Sequence, residues 1–94
     1  MTSIITGSNG FIGTWLSRFL ENKKDKTVSF SKQKGIDILN KNILENKIKE
    51  INPDRIFHLA AKNIISESFA NPEETLNINI IGTLNLLEAI KKVN

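Results

Sequence analysis

Three glycines in the stretch TGSNGFIG, residues 6–13, have the type and spacing that point most directly to chemistry. They stand at positions 7, 10 and 13, after a short apolar run and before a segment with helical periodicity. A helix N-terminus presents free amide groups and the positive end of the helix dipole, so an anion can bind there. Gly7 would allow the sharp turn after a strand, Gly10 would admit a diphosphate, and Gly13 would let helix and strand pack closely. The stretch predicts a dinucleotide site, with a plain glycine-rich turn as the alternative.

Strands and helices alternate in the segments that would position this turn. Short β-favouring runs predict strands at 3–6, 27–30, 35–38 and 55–59. Apolar residues at three- and four-residue spacing predict helices at 11–22, 41–51 and 72–92, and 63–70 is expected to be a loop. The alternation favours an α/β fold: the first half of a doubly wound parallel sheet, with three to four strands and helices on both faces.

Two of these helices have apolar stripes that we expect to be buried. In 11–22 the stripe consists of Ile12, Trp15, Leu16, Phe19 and Leu20. In 72–92 it consists of Leu76, Ile80, Leu84, Leu87 and Ile90. An amphipathic helix of this kind normally packs its apolar side against the sheet.

Length and composition exclude several classes of protein. A chain of 94 residues, 39% apolar and 24% charged, makes one small domain or part of a larger one. It has no cysteine, so we expect no disulfide and no metal site with cysteine ligands, and the natural location is the cytoplasm. No apolar run approaches the roughly 18 residues of a membrane span, and no signal peptide is recognisable. The lysines behind the net charge of +3 are scattered among acidic residues, so we expect no nucleic-acid partner.

Four motifs in order resemble the extended short-chain dehydrogenase/reductase family, which includes nucleotide-sugar epimerases, dehydratases and reductases. They are TGSNGFIG, the Asp37–Ile38 pair, FHLAA at 57–61, and ESF, NP and NIIGTLNLLEA between 67 and 89. The last set is most similar to sugar-nucleotide 4-ketoreductases and 4,6-dehydratases. Because the resemblance covers almost the whole chain, it implies a Rossmann domain that binds NAD(P).

The resemblance also implies cofactor contacts, each with a plainer alternative. The residues that would hold the diphosphate are Gly7, Gly10, Phe11, Ile12 and Gly13. Asp37 and Ile38 would flank the adenine, with Asp37 accepting a hydrogen bond from its amino group. Leu59, Ala60 and Ala61 would lie near the nicotinamide ribose. Otherwise Asp37 is a simple turn residue, and the two alanines fill the core.

Two further side chains in these motifs are polar. In the family Asn79 helps to hold the active-site backbone, and the alternative is a helical asparagine that faces solvent. His58 lies in an apolar strand, so we expect a core histidine with polar partners rather than a base or a ligand.

The end of the second strand bears on the choice between NAD and NADP. Family members that use NAD typically have an acidic residue there, which binds the adenosine ribose. Here the sequence is Phe30-Ser31-Lys32-Gln33-Lys34, without a carboxylate. The Ser31 hydroxyl and the Lys32 ammonium suit a 2′-phosphate, so we expect NADP, with NAD as the alternative. The plainer explanation is that Lys32 and Lys34 are ordinary loop cations.

The family's catalytic pair does not occur in these residues. The resemblance implies a Tyr-x-x-x-Lys pair and a Ser or Thr, whereas this sequence has no tyrosine. We therefore expect residues 1–94 to be a partial domain, the cofactor-binding portion of a longer enzyme, which is not catalytic alone. A nucleotide sugar would be bound only in the full-length context. Two hypotheses remain beside it: a stand-alone nucleotide-binding or interaction module, and a degenerate fragment that binds nothing. Helix 72–92 corresponds to a helix at family dimer interfaces, which implies a homodimer.

Overall fold

Parallel strands form the sheet at the centre of the fold. The computed structural model describes residues 1–61 and 69–93. The strands are β1 Thr2–Thr6, β2 Lys26–Phe30 and β3 Arg55–His58, in the order β2–β1–β3. Ile4 in the middle of β1 pairs with Val28 of β2 and Ile56 of β3. Parallel neighbours need crossover connections, and helices supply them. The predicted parallel α/β sheet is confirmed.

The helices begin and end close to the predicted positions. Helix α1 is Phe11–Asn22 and α2 is Lys41–Ile51. Helix α3 covers 72–93: it starts as Pro72–Leu76, passes through a π-helical turn at Asn77–Ile81 and continues as Gly82–Val93. A 3₁₀ turn at Lys32–Lys34 follows β2. None of the helices in the described part of the chain is long and apolar enough to cross a membrane.

One local prediction is wrong, and another is contradicted at its last two residues. No strand forms at 35–38: Gly35 takes a left-handed φ of 79°, and the chain then turns towards α2. The alternating Ile36 and Ile38 are nevertheless buried, because both side chains enter the core without pairing to a neighbouring strand. The loop expected at 63–70 lies largely outside the described residues, as does Glu67–Ser68 of the fourth motif, and Phe69 and Ala70 are helical.

The core lies mainly between the sheet and the pair of helices α2 and α3. Ile4 of β1 packs there with Leu44 and Ile48 of α2 and with Leu86 of α3. The next strand residue, Ile5, is fully buried on the other face, because successive side chains of a strand alternate. Helix α1 contacts β1 and β2 and covers that second face. Helices therefore cover both faces, as predicted.

Contrary to the prediction, the apolar stripes of α1 and α3 do not face the sheet. In α1 only Leu20 of the stripe is buried, while Ile12, Trp15 and Phe19 are exposed. The α3 stripe is also largely exposed, at Leu76, Ile80, Leu84 and Leu87. The buried residues of Gly82–Val93 are Gly82, Asn85, Leu86 and Ala89. The buried residues are thus one leucine of each helix together with small or polar residues, at which the helix can approach the backbone beneath.

Candidate functional site

The turn between β1 and α1 brings the start of a helix to the carboxyl end of the sheet. Gly7 takes a φ of 66°, in the left-handed region that favours glycine. Its amide donates to Phe30 O at 3.1 Å, which fixes the turn to the end of β2. Gly10 donates to Gly7 O at 3.1 Å and is the N-cap of α1. The helix axis therefore starts directly above the ends of the strands.

The three glycines are required for different reasons. A Cβ on Gly7 would lie 2.7 Å from Ala60 N, and one on Gly13 would lie 2.5 Å from Gly7 O. Real Cβ atoms do not come so close to backbone, so packing within the protein accounts for these two glycines. A Cβ on Gly10 would meet only Gly7 O, at 3.4 Å, which is ordinary contact. The packing of the chain therefore leaves room for a side chain at position 10, where the sequence has none.

The first turn of α1 is prepared for an anion. The amides of Phe11, Ile12 and Gly13 lie ahead of the first intrahelical bond, in which Thr14 N donates to Gly10 O at 2.9 Å. Gly10 has no side chain to cap them, and the first turn contains no acidic residue. Because the positive end of the helix dipole lies here, a negative group would be stabilised.

A cavity of about 240 Å³ opens beside this turn. It extends from the glycine turn across the end of β2 to the segment after it and to the end of β3. Its lining residues are Gly7, Asn9, Gly10, Phe30, Ser31, Lys32, Ile36, Asp37, Ile38, Ala60, Ala61 and Ile78. Eight of the twelve predicted cofactor residues therefore line one cavity, which brings three separate motifs together.

The other four predicted residues surround the cavity without lining it. Phe11 is at the start of α1 with its side chain 90% exposed, and Ile12 is exposed beside it. Gly13 is buried beneath the turn. Leu59 N donates to Thr6 Oγ1 at 3.0 Å, and the Leu59 backbone lies under Gly7. These residues can act on a ligand through backbone amides or by shaping the turn, rather than through side-chain contact.

The Asp37–Ile38 segment forms the wall of the cavity opposite the glycine turn. Asp37 Oδ1 accepts a hydrogen bond from Leu39 N at 3.0 Å, and Asp37 O accepts one from Asn40 N at 2.9 Å. Asp37 is therefore a turn residue, and it also lines the cavity. Its second carboxylate oxygen lies 4.0 Å from Lys32 Nζ, across the mouth of the cavity.

Ser31 and Lys32 form the edge of the cavity next to the end of β2. Ser31 is buried, and its Oγ accepts a hydrogen bond from Lys34 N at 3.3 Å, so its hydroxyl proton is still free to donate. Lys32 is exposed, with 73% of its side chain accessible. Lys34 carries the same charge but does not line the cavity.

Comparison with known proteins gives a family for this arrangement. The model of the NAD dependent epimerase/dehydratase family matches residues 3–94. The chain belongs to this family. It is 35% identical over 107 residues to a UDP-glucose 4-epimerase of Mycoplasma genitalium, covering 95% of this chain and 32% of that protein. It is 36% identical over 87 residues to a GDP-6-deoxy-D-mannose reductase of Pseudomonas aeruginosa, covering 93% of this chain and 28% of that protein.

Solved structures confirm the Rossmann-like fold. A UDP-glucose 4-epimerase of Thermus thermophilus in complex with NAD has a TM-score of 0.91 and 26% identity, covering 99% of this chain and 34% of that one. A dTDP-4-dehydrorhamnose reductase of Bacillus anthracis in complex with NADP has a TM-score of 0.89 and 32% identity. The match covers 98% of this chain and 33% of that one. The chain thus spans about a third of the length of these relatives.

In this epimerase/dehydratase family member, His58 joins the end of β1 to α3 through two hydrogen bonds. Its Nδ1 lies 2.7 Å from Thr6 Oγ1, and its Nε2 lies 2.9 Å from Thr83 Oγ1. Thr83 Oγ1 donates its own proton to Asn79 O at 2.8 Å, so it accepts from Nε2–H. Thr6 Oγ1 accepts from the amides of Leu59 and Ala60 and donates to Nδ1. These directions assign His58 as the neutral Nε2–H form. The predicted polar partners are present, but His58 is half-buried rather than in the core.

Protonation of His58 is unfavourable in this network. Burial lowers the pKa of His58 below its usual value of 6.5. A proton on Nδ1 would also compete with the Thr6 hydroxyl proton, which would be left without an acceptor. Since the unfolded chain then binds the proton more readily than the folded one, the free energy of unfolding should fall as the pH drops.

We expect this loss to begin as the pH falls through the ordinary histidine pKa of about 6.5 and to continue below it, until the folded protein also binds the proton. Denaturant unfolding at a series of pH values measures it, and His58→Gln should remove the slope in this window. Glu88, whose pKa is lowered by Lys41, contributes only at more acidic pH. An unchanged slope in His58→Gln would show that His58 is not the titrating group.

Sequence reasoning missed six residues of this site. Asn9, Phe30, Ile36 and Ile78 line the cavity, and Gly82 and Asn85 of α3 lie behind its wall. Gly82 and Asn85 had a signal, because a glycine and an asparagine in the middle of a helix weaken it unless packing requires them. Asn9, Phe30, Ile36 and Ile78 had no such signal. Within 1–61 and 69–93, no three His, Asp or Glu side chains come together to hold a metal ion.

Proposed function

We propose that this chain binds NAD(P) as the dinucleotide-binding portion of a nucleotide-sugar epimerase, dehydratase or reductase. The observation that carries the proposal is the unfilled space at Gly10, in front of the free amides of α1 and inside the cavity. A glycine that the protein's own packing does not need is explained by a ligand that comes close to the backbone. The relatives with bound NAD and NADP support the same class of ligand.

The lining residues fit each part of such a dinucleotide. The amides at the start of α1 would receive the diphosphate without a basic side chain. Asp37 and Ile38 would flank the adenine, and Ala60 and Ala61 would leave room beside the nicotinamide ribose. When bound, the nicotinamide would supply hydride transfer. The Tyr-x-x-x-Lys pair that the family uses would have to come from outside these residues, so we propose that 1–94 alone is not catalytic.

We further propose that NADP is preferred to NAD. The support is the charge of the cavity edge after β2, where the Ser31 hydroxyl and the Lys32 ammonium lie together. Both groups can donate hydrogen bonds to a 2′-phosphate, and the dianion would gain from the nearby positive charge. The only carboxylate that lines the cavity within the described residues is Asp37, which faces Lys32.

Reversing the charge of Lys32 tests the proposal. We expect Lys32→Glu to weaken NADPH binding by about tenfold, roughly 1.4 kcal/mol, because an exposed ion pair is worth up to about 1 kcal/mol and the new carboxylate also repels the 2′-phosphate. Affinity for NADH should change by less than about threefold, since it lacks the 2′-phosphate. Isothermal titration calorimetry with both cofactors measures the two dissociation constants.

Lys34→Glu is the matched control, because it makes the same charge change two residues away and outside the cavity lining. It should lower NADPH affinity much less than Lys32→Glu does. Equal losses of NADPH affinity in the two variants would show that the overall charge, and not a contact between Lys32 and the 2′-phosphate, governs binding. If the unmodified chain bound ADP, NADH and NADPH without preference, a general nucleotide-binding module would replace the proposed function.

The homodimer through helix 72–92 also stays a proposal. Its support is the exposed apolar stripe on α3, of which Leu76, Ile80, Leu84 and Leu87 are between 47% and 59% accessible. Such a strip on a helix is suited to packing against a second helix.

A further inference from the structure

Helix α3 contacts the Asp37–Ile38 wall of the cavity at two positions, one turn apart. Asn85 is buried, and its Nδ2 donates a hydrogen bond to Ile38 O at 3.0 Å. Three residues earlier, Gly82 faces the Ile38 side chain. Residues at this spacing lie on the same face of a helix, so they act on Ile38 together.

Both positions are unusual for the middle of a helix. Glycine costs about 1 kcal/mol relative to alanine there, and asparagine is also a weak helix former. A Cβ on Gly82 would lie 2.5 Å from Ile38 Cδ1 and 2.8 Å from Ile38 Cγ1. Only glycine therefore lets Ile38 lie against the helix backbone. Ile38 is 93% buried, so the end of its side chain could make room only by displacing its neighbours or by shifting the segment that carries it.

The same segment carries the only acidic side chain of the described cavity lining. Asp37 lies directly before Ile38, and its carboxylate is oriented by the bond from Leu39 N. Among the described contacts, this turn is joined to α3 through the Asn85 bond to Ile38 O. The position of the Asp37 carboxylate therefore depends on Asn85 and Gly82, although neither residue lines the cavity.

We propose that Asn85 and Gly82 are positioning residues for base recognition, which hold Asp37–Ile38 where it distinguishes adenine from other bases. The proposal rests on the proposed NAD(P) site. Adenine presents an amino group that can donate a hydrogen bond to a carboxylate, whereas hypoxanthine has a carbonyl oxygen at the same position. A hydrogen bond to a charged group is worth roughly 1.5 to 3 kcal/mol, which corresponds to about tenfold to a hundredfold in affinity.

The test compares NADH with its hypoxanthine analogue, because the two share the diphosphate, the riboses and the nicotinamide. We expect the unmodified protein to prefer NADH by about tenfold or more. In Asn85→Leu, which keeps the size of the side chain and removes the amide, the preference should fall at least about fivefold. Affinity for the hypoxanthine analogue should change little.

Gly82→Ala gives an independent second variant, because alanine strengthens the helix itself while pushing on Ile38. It should also reduce the preference for adenine. Asn42→Leu is the control, since Asn42 is exposed on α2 and its replacement should leave the ratio of affinities unchanged. If the unmodified protein prefers adenine and both α3 variants keep that preference, the positioning role is wrong. If it binds neither dinucleotide, the NAD(P) site itself is wrong, and the inference fails with it.

Discussion

Gly10→Val abolishes dinucleotide binding while the protein stays folded: this is the largest expected effect on function. The valine side chain would occupy the space in front of the amides of Phe11, Ile12 and Gly13, where we place the diphosphate. Inside the protein, its Cβ would meet only Gly7 O at 3.4 Å. We expect NADPH affinity to fall by at least about 100-fold, close to 2.7 kcal/mol. Calorimetric titration of the purified variant measures the loss.

A graded substitution separates steric blockage from unfolding. Gly10→Ala adds one carbon at the same place, so its affinity should lie between those of the unmodified protein and the valine variant. Gly10 is the N-cap of α1, a position where alanine and valine are less favourable than glycine. Both variants should therefore lose about 1 kcal/mol of stability and remain folded. A valine variant that is folded and binds NADPH with unchanged affinity would remove the turn from the site.

Gly13→Ala is expected to have the largest effect on stability. The new Cβ would lie 2.5 Å from Gly7 O and 2.8 Å from Ser8 Cα, and both are backbone atoms that cannot rotate away. Helix α1 would have to move off the turn, which we expect to lower the free energy of unfolding by about 3 kcal/mol or more. The gain of about 1 kcal/mol in helix propensity does not offset this. Urea unfolding followed by circular dichroism measures the difference.

Comparison with Gly10→Ala shows whether the loss of stability is specific to position 13. Both substitutions add one methyl group to the same short turn, three residues apart, yet only position 13 is closed by backbone. A loss of stability of equal size in the two variants would mean that the turn merely disfavours any residue but glycine. In that case the close packing of α1 on β1 would not explain Gly13.

The sequence was sufficient for the three strands, the three helices and most of the cavity lining, although it also predicted a strand at 35–38 that does not form. The reason is physical: parallel strands place their carboxyl ends at one edge of the sheet, so motifs that follow different strands meet there. The glycine turn follows β1, Ser31 and Lys32 follow β2, and Ala60 and Ala61 follow β3. Eight of the predicted residues line the cavity for this reason.

The sequence did not predict which side chains of each element face the core and which face solvent. The alternation of Ile36 and Ile38 indicated a strand, but burial alone produces the same pattern. The large apolar residues of α1 indicated its inward face, yet Trp15 is 62% exposed, whereas Gly13 is buried against the backbone of the turn. Asn85 was not singled out in the sequence, because its bond to Ile38 O depends on how α3 packs on the segment after β2. These features depend on tertiary contacts that local periodicity does not encode.

The most direct test of the account is to follow the backbone amides of ¹⁵N-labelled protein by NMR as NADPH is added. If the first turn of α1 receives the diphosphate, the largest shifts will fall on the amides of residues 10–13, and inorganic diphosphate alone will move the same signals. If NADPH binds and these four amides do not shift, or if the shifts gather at another surface, the central claim is contradicted.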